Sequence, residues 1–138
     1  MIDVTKIWER LFLGSLYDAE RLAKANPFGI SAVISLTETG PCNTRRGINY
    51  VHLHVEDTQP ILVRQFDAIM HAIAEHIRRG KVLVHCGSGI SRAPVMTAAW
   101  MHAVGHKDLD AALSEIAGLR PIINPSAILL ASVRQHLR

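Results

Sequence analysis

Aromatic residues are scarce in this chain: two Trp, two Tyr and three Phe among 138 residues, 5% of the total. So few, spread so widely, do not build the stacking platform on which single-stranded nucleic acids are held, and no nucleic-acid partner is expected. Cysteine is scarcer still, with Cys42 beside Pro41 and Cys86 after an apolar run. Two such residues make neither a disulfide framework nor a paired C-x-x-C metal knuckle, so both read as reduced thiols. Long apolar runs are also missing. The clean stretches are short ones such as residues 127–131, well below the ~18 residues of a membrane span, so no membrane partner is expected either. A secretory signal needs a continuous apolar centre, but Asp3, Lys6, Glu9 and Arg10 interrupt the N-terminal stretch. A cytoplasmic protein is the expectation.

The chain also lacks a strong charge of one sign: 15 Lys and Arg face 12 Asp and Glu, a formal +3. Such mild basicity suits a small anionic substrate at least as well as a polymer. Apolar residues, in contrast, make up 49%. At this length that is enough for one self-sufficient core, so residues 1–138 are expected to form a single domain.

Strand-like and helix-like segments alternate along the chain. Residues 7–13 mix β-branched, aromatic and polar side chains and stop at Gly14-Ser15; residues 17–25 then read as a short helix ending at Asn26-Pro27. Residues 32–36 form an apolar run suited to a strand buried on both faces. Residues 50–55 alternate, with Val51, Leu53 and Val55 on one face and His52 and His54 on the other. After Pro60, the residues Phe66, Ile69, Met70, Ile73 and Ile77 recur at helical spacing as far as Gly80. The run Val82-Leu83-Val84 feeds a loop, and residues 95–104 beyond Pro94 read as a buried helix. Helices over 108–117, with Asp108 as N-cap, and over 126–137 complete the pattern. This order predicts an α/β domain whose central mixed, partly parallel sheet of about four to five strands is flanked by helices.

In open α/β sheets, ligands bind between the C-terminal end of a central strand and the next helix, because backbone N–H groups and the helix dipole both point there. Cys86-Gly87-Ser88-Gly89-Ile90-Ser91-Arg92 occupies that place. The thiolate is the reactive form of cysteine, and a helix N-terminus with cationic neighbours favours it. Arg92 can fold back so that the sulfur and a planar, bidentate guanidinium face one ring of N–H groups, a fit for a tetrahedral dianion. Gly87 and Gly89 permit close or left-handed backbone, and the Ser91 hydroxyl is placed to donate to the sulfur. His85 points opposite to Cys86 on an extended chain, so it reads as a residue that fixes the loop rather than as a base. An Arg six places after either cysteine arises by chance roughly one time in six, but a preceding His and a Gly at the third place lower that to on the order of one in a thousand. Cys42 is an internal control, since its third residue is Arg45 and its sixth Ile48. Phosphoryl transfer also needs a proton for the leaving oxygen. Asp57, just past a strand end and followed by Thr58, Gln59 and Pro60, is the candidate donor, with Glu56 as its rival.

The segment HCGSGISR, His85 to Arg92, resembles the H-C-x-x-G-x-S-R signature of the cysteine-based dual-specificity phosphatases in the protein tyrosine phosphatase superfamily. Leu11-Phe12-Leu13-Gly14-Ser15 is similar to that family's early L-x-L-G-s element, Val55-Glu56-Asp57 to its general-acid loop, and residues 120–125 to its R-x-x-I-N-P stretch, so nearly the whole chain is covered. The resemblance implies a protein tyrosine phosphatase-like fold and a reaction that needs no metal or other cofactor. Its substrate would be a phosphorylated protein or a small phosphomonoester. Cys86 would attack phosphorus while Asp57 protonates the departing oxygen, and water activated by Asp57 would then release phosphate from phosphocysteine. Arg92 and the N–H groups of Gly87, Ser88, Gly89, Ile90, Ser91 and Arg92 would hold the phosphate oxygens, Ser91 and His85 would support the thiolate, and Asn124 would brace the loop.

One residue departs from the pattern. The family often places Ser or Thr directly after the arginine, where its hydroxyl eases departure of the sulfur; Ala93 stands here, so slow hydrolysis of the intermediate is expected. A chain this short also lacks the recognition insertions of the larger tyrosine-only enzymes, so phosphoserine and phosphothreonine are expected beside phosphotyrosine. Gly87, Ser88 and Ile90 carry no positive charge, which points away from phosphoinositides.

Two other readings of the loop stand beside this one: a rhodanese-like sulfurtransferase, which has no use for Asp57, and a module that binds phosphate without cleaving it. His52 with His54, and His102 with His106, have ligand-like spacing but no accompanying H-E-x-x-H or cysteine pair, so no metal site is expected. Nothing in the sequence brings Cys42 and Cys86 within bonding distance.

Overall fold

The computed structural model describes residues 3–105 and 107–137. Its elements run β1 (Thr5–Trp8), β2 (Leu11–Ser15), α1 (Leu16–Arg21), β3 (Ile30–Ser35), β4 (Asn49–His52), α2 (Val63–Ile77), β5 (Lys81–Cys86), α3 (Arg92–Gly105), α4 (Leu109–Leu119) and α5 (Ala127–His136). The five strands form one sheet in the order β1-β2-β5-β3-β4. β1 is antiparallel to β2 and the other neighbours are parallel, so the sheet is mixed, as the alternation of elements predicts.

The two-residue period of the strands sorts their side chains between two cores. Leu11, Leu13, Ile34, Val82, Val84 and Cys86 face a larger cluster that includes Ile69 and Ile73 of α2, Met96 of α3, Ile116 of α4 and Leu129 of α5. Phe12, Val33 and Leu83 face the other way, onto Ala19 and Leu22 at α1. β5 lies at the centre, hydrogen-bonded on both sides to parallel strands, with Cys86 opposite Ser15 and His85 opposite Ser35. The C-terminal ends of three strands therefore converge where β5 hands over to α3.

Local chemistry sets the element boundaries. Ser15 starts α1 with a reciprocal cap: its Oγ accepts from the Asp18 N–H at 3.2 Å, and the Asp18 carboxylate accepts from the Ser15 N–H at 2.8 Å. Ser126 caps α5, its Oγ accepting from the Leu129 N–H at 3.3 Å. Asp108 occupies the cap position of α4, yet its side chain makes no capping bond.

Three segments differ from the sequence reading. Residues 7–13 are not one extended piece but parts of a hairpin, β1 and β2, turning at Glu9-Arg10. That turn carries none of the Asn-Gly or Asp-Gly signals that mark a tight hairpin. It is held by long-range bonds instead, with the Arg10 carbonyl accepting from the Val82 N–H at 2.8 Å. α1 ends at Arg21 rather than near Ala25, because the next turn tightens into i→i−3 bonds, Ala23 N–H to Glu20 O at 3.2 Å and Lys24 N–H to Arg21 O at 3.1 Å. β4 ends at His52, although the Leu53 and Val55 amides still reach the Ser35 and Leu36 carbonyls at 2.9 Å each. Among the described residues no helix is long and apolar enough to cross a membrane.

Candidate active site

The Cys86 side chain is 2% exposed at the last position of β5. Residues 87–91 then curl back and Arg92 opens α3. Four donors from outside the loop take its carbonyls. The Leu16 N–H binds Gly87 O at 3.0 Å and the Asn124 N–H binds Ile90 O at 2.8 Å. The Arg120 guanidinium binds Gly89 O at 2.9 Å and Ser88 O at 3.3 Å. With the carbonyls pulled outward, the N–H groups of residues 87–91 have no acceptor among the described residues and are free to serve an anion. Gly89 sits at φ +71°, and a Cβ there would lie 2.6 Å from Arg120 Nη2 and 2.8 Å from the Gly14 carbonyl oxygen, so only glycine fits.

At the sulfur, the donor is the Ala93 N–H, 3.4 Å from Cys86 Sγ, with the N-terminal end of α3 behind it. The Ser91 hydroxyl does not take the place expected for it. A hydroxyl has one proton to give, and Ser91 gives it to Asp57 Oδ1 at 2.8 Å while accepting from the Ser126 N–H at 2.9 Å. Arg92 does fold back over the loop: its Nη1 donates to Val55 O at 3.0 Å and Leu36 O at 3.4 Å, and its Nη2 is 3.4 Å from where a Gly87 Cβ would stand. The guanidinium is thereby fixed as a planar donor at the mouth of the loop.

His85 is fully buried on the opposite side of β5, where Nε2 meets Ser35 Oγ at 2.7 Å and Nδ1 meets Cys86 O at 3.2 Å. Burial holds its pKa below the ordinary value; the bond to the Cys86 carbonyl works against this and the Arg92 charge works with it. The neutral ring must donate from Nδ1, because a carbonyl only accepts, and so Nε2 accepts from Ser35. His85 thus bridges the end of β5 to Ser35 on β3.

A cleft of about 400 Å³ opens over Arg92, lined also by Leu16, Thr37, Glu38, Thr39, His54, Glu56 and Asp57. Asp57 reaches the loop through Ser91, and its Oδ1 accepts a second bond from the Thr58 N–H at 3.0 Å. Glu56 turns to His54 instead, 3.5 Å away. Glu38, His54 and Glu56 bring one possible metal-ligand atom each within 4.8 Å of one another, but both carboxylates are solvent-exposed and form an acidic rim. Of the other histidines, His52 binds Thr37 O at 2.6 Å, His102 binds Lys107 O, and His106 lies outside the described residues.

Asn124 reaches the loop through its main-chain N–H rather than its side chain. Arg120, Ser35 and the Ala93 N–H carry structural tasks that sequence reasoning did not assign. Arg120 is 4% exposed and spans from the loop to β1, donating to Thr5 Oγ1 at 2.9 Å, a bond across more than a hundred residues that no local pattern reports.

Comparison with known proteins agrees with this geometry. The family described as "Dual specificity phosphatase, catalytic domain" matches residues 11–138. Mouse Dual specificity protein phosphatase 15 is 30% identical over 125 residues, covering 89% of this chain and 53% of the relative, so the chain spans about half of that protein's length. The solved structure of DUSP15, 29% identical, superposes with a TM-score of 0.82 over 97% of this chain and 84% of that one. The human tyrosine phosphatase-like serine/threonine/tyrosine-interacting protein, 24% identical, shares the fold at a TM-score of 0.85 over 96% of this chain and 94% of that one. The chain belongs to the dual specificity phosphatase catalytic domain family, within the protein tyrosine phosphatase superfamily.

Proposed function

We infer that residues 1–138 act as one catalytic domain that hydrolyses phosphate monoesters through a phosphocysteine. The supporting observation is the Cys86 sulfur at the floor of a loop whose N–H groups are open and whose mouth is held by the Arg92 guanidinium. The phosphate oxygens bind the N–H groups of Gly87, Ser88, Gly89, Ile90, Ser91 and Arg92 and the Arg92 side chain, which lets negative charge spread in the transition state without reorganising the site. The Cys86 thiolate donates an electron pair to form the S–P bond as the P–O bond to the leaving group breaks, and Asp57 passes its proton to that oxygen. Water then attacks phosphorus, Asp57 takes its proton, the S–P bond breaks, and inorganic phosphate leaves with the thiolate restored.

Phosphoproteins are the substrate class, with phosphotyrosine and phosphoserine or phosphothreonine all admitted. Among its lining residues the open cleft has Glu38 and Glu56 at the rim, no Lys or Arg besides Arg92, and His54 turned to Glu56, a poor match for a multiply phosphorylated lipid headgroup. A reduced thiol is required, which suits a cytoplasmic setting.

The test is turnover of para-nitrophenyl phosphate and of phosphotyrosine and phosphothreonine peptides in EDTA. Wild-type protein is expected to cleave all three, and Cys86→Ser none. Full activity in Cys86→Ser removes the proposed nucleophile, and dependence on added metal removes the mechanism.

A further inference from the structure

We propose that Ser91 is the positioning residue for the general acid, selecting which oxygen of Asp57 delivers the proton. This rests on the reading of Asp57 as that acid. The hydroxyl of Ser91, a residue 9% exposed, is held from both sides: the Ser126 N–H, at the start of α5, occupies a lone pair at 2.9 Å, which leaves the hydroxyl proton aimed at Asp57 Oδ1 at 2.8 Å. Oδ1 also receives the Thr58 N–H at 3.0 Å, whereas Oδ2 accepts no hydrogen bond among the described residues. An oxygen that already accepts two donors is a poor place for a proton, so the acidic hydrogen resides on Oδ2.

Thr58 follows at φ 59°, a left-handed conformation that costs a β-branched residue and that a single turn does not sustain unaided. Two of the contacts on the acid segment come from the end of the loop and the first residue of α3. Arg92 Nη1 grips Val55 O, two residues before Asp57, and Ser91 grips Asp57 itself. The main-chain N–H of Ser91 belongs to the ring proposed to bind phosphate. Ser91 thus ties phosphate binding to proton delivery, and a phosphate that orders the loop also orders the acid.

A residue that positions the acid matters in proportion to how badly the leaving group needs a proton. Ser91→Ala is therefore expected to lose on the order of 10–10²-fold in kcat/KM on phenyl phosphate, whose leaving group is poor, and under about threefold on para-nitrophenyl phosphate, kcat/KM being the quantity that reports S–P bond formation and not the hydrolysis step common to both substrates. Ser91→Thr, which keeps the hydroxyl, restores the phenyl phosphate rate. In an Asp57→Asn background Ser91→Ala changes neither rate further, since the two act as one unit. Ser91→Ala keeps the main-chain N–H through which Ser91 is proposed to bind phosphate, so inhibition by vanadate reports whether the loop stays intact. Should Ser91→Ala lose vanadate binding, Ser91→Cys, which replaces a strong donor by a weak one, is expected to show the same leaving-group selectivity. Equal losses on both substrates, losses additive with Asp57→Asn, or no loss at all would overturn the proposal. Wild-type turnover of para-nitrophenyl phosphate and its disappearance in Cys86→Ser test the phosphatase reading separately, whatever Ser91 does.

Discussion

Two loops leave adjacent parallel strands at the same end of the sheet, both with glycines; the first contains Cys42, Arg45 and Arg46, and the second is flanked by Cys86 and Arg92. The loop after β3, residues 36–48, spends its donors on its own chain. Cys42 N–H and Asn43 N–H each bind the Glu20 carboxylate at 2.8 Å, Arg45 N–H binds Tyr50 Oη at 2.9 Å, and Arg45 Nη1 reaches the Leu22 and Ala23 carbonyls beyond the end of α1 at 3.4 and 3.3 Å. The loop after β5, residues 87–91, is treated oppositely. Its carbonyls are taken by Leu16, Asn124 and Arg120 and its N–H groups are left open. Composition does not separate the two; what separates them is whether the surrounding chain satisfies the donors or turns them outward. An anion site is a loop whose acceptors are satisfied and whose donors are not.

Paired substitutions across the two loops probe this contrast. The largest difference is expected between the cysteines: Cys86→Ser loses about 10⁴-fold or more in kcat/KM on para-nitrophenyl phosphate, while Cys42→Ser, at an exposed free thiol, leaves the rate unchanged. Next come the arginines. Arg92→Ala loses about 10²–10³-fold in kcat, the effect of removing a charged donor from a transition state. Arg45→Ala costs only about 0.5–1.5 kcal/mol of stability by urea denaturation, with kcat intact. A kcat loss in Arg45→Ala comparable to that in Arg92→Ala would erase the distinction.

Smaller effects are expected at the left-handed glycines. At Gly47, φ +94°, nothing lies within 4 Å of an added Cβ, so Gly47→Ala costs about 1–2 kcal/mol and no activity. At Gly89 the added Cβ also meets Arg120 and the Gly14 backbone, so Gly89→Ala loses more stability and lowers kcat as well. Equal melting points for the two variants would mean that the close approach at Gly89 has little consequence.

The smallest effect is in pH dependence. Burial lowers the His85 pKa below 6.5, so beneath that pH the unfolded chain takes up a proton that the folded one resists, and stability falls as pH drops. The Cys42 and Asn43 N–H groups lower the Glu20 pKa below 4.5, so that carboxylate adds its loss only under 4.5. Urea midpoints measured from neutral pH down to about 5 are expected to fall in wild type and to fall less steeply in His85→Gln. An unchanged slope would remove His85 as the cause.

What was legible in the sequence was what local chemistry controls. The apolar run 82–84, the left-handed glycine at 89 and the helical period of residues 66–77 are legible because period and turn preference are properties of short segments. Arg92 folds back toward Gly87 because so short a stretch of chain can close only a small ring. The hairpin at Glu9-Arg10 was illegible because it is held by β5, more than seventy residues away. The sequence points the Ser91 hydroxyl at the sulfur in the same short loop, whereas its partner is Asp57, 34 residues earlier. Arg120 was visible only as part of a family stretch, since the carbonyls it serves lie 31 and 32 residues upstream.

The covalent step tests the central claim most directly. Asp57→Asn protein mixed with para-nitrophenyl phosphate is expected to form the S–P bond, because that leaving group departs without a proton, and to lack the proposed base for its hydrolysis; Ala93, which offers no hydroxyl to ease departure of the sulfur, is expected to slow hydrolysis further. Acid quenching followed by peptide mass spectrometry is expected to find phosphate on Cys86, appearing together with a burst of nitrophenol. Turnover with phosphate on another residue, or on none, would contradict the account.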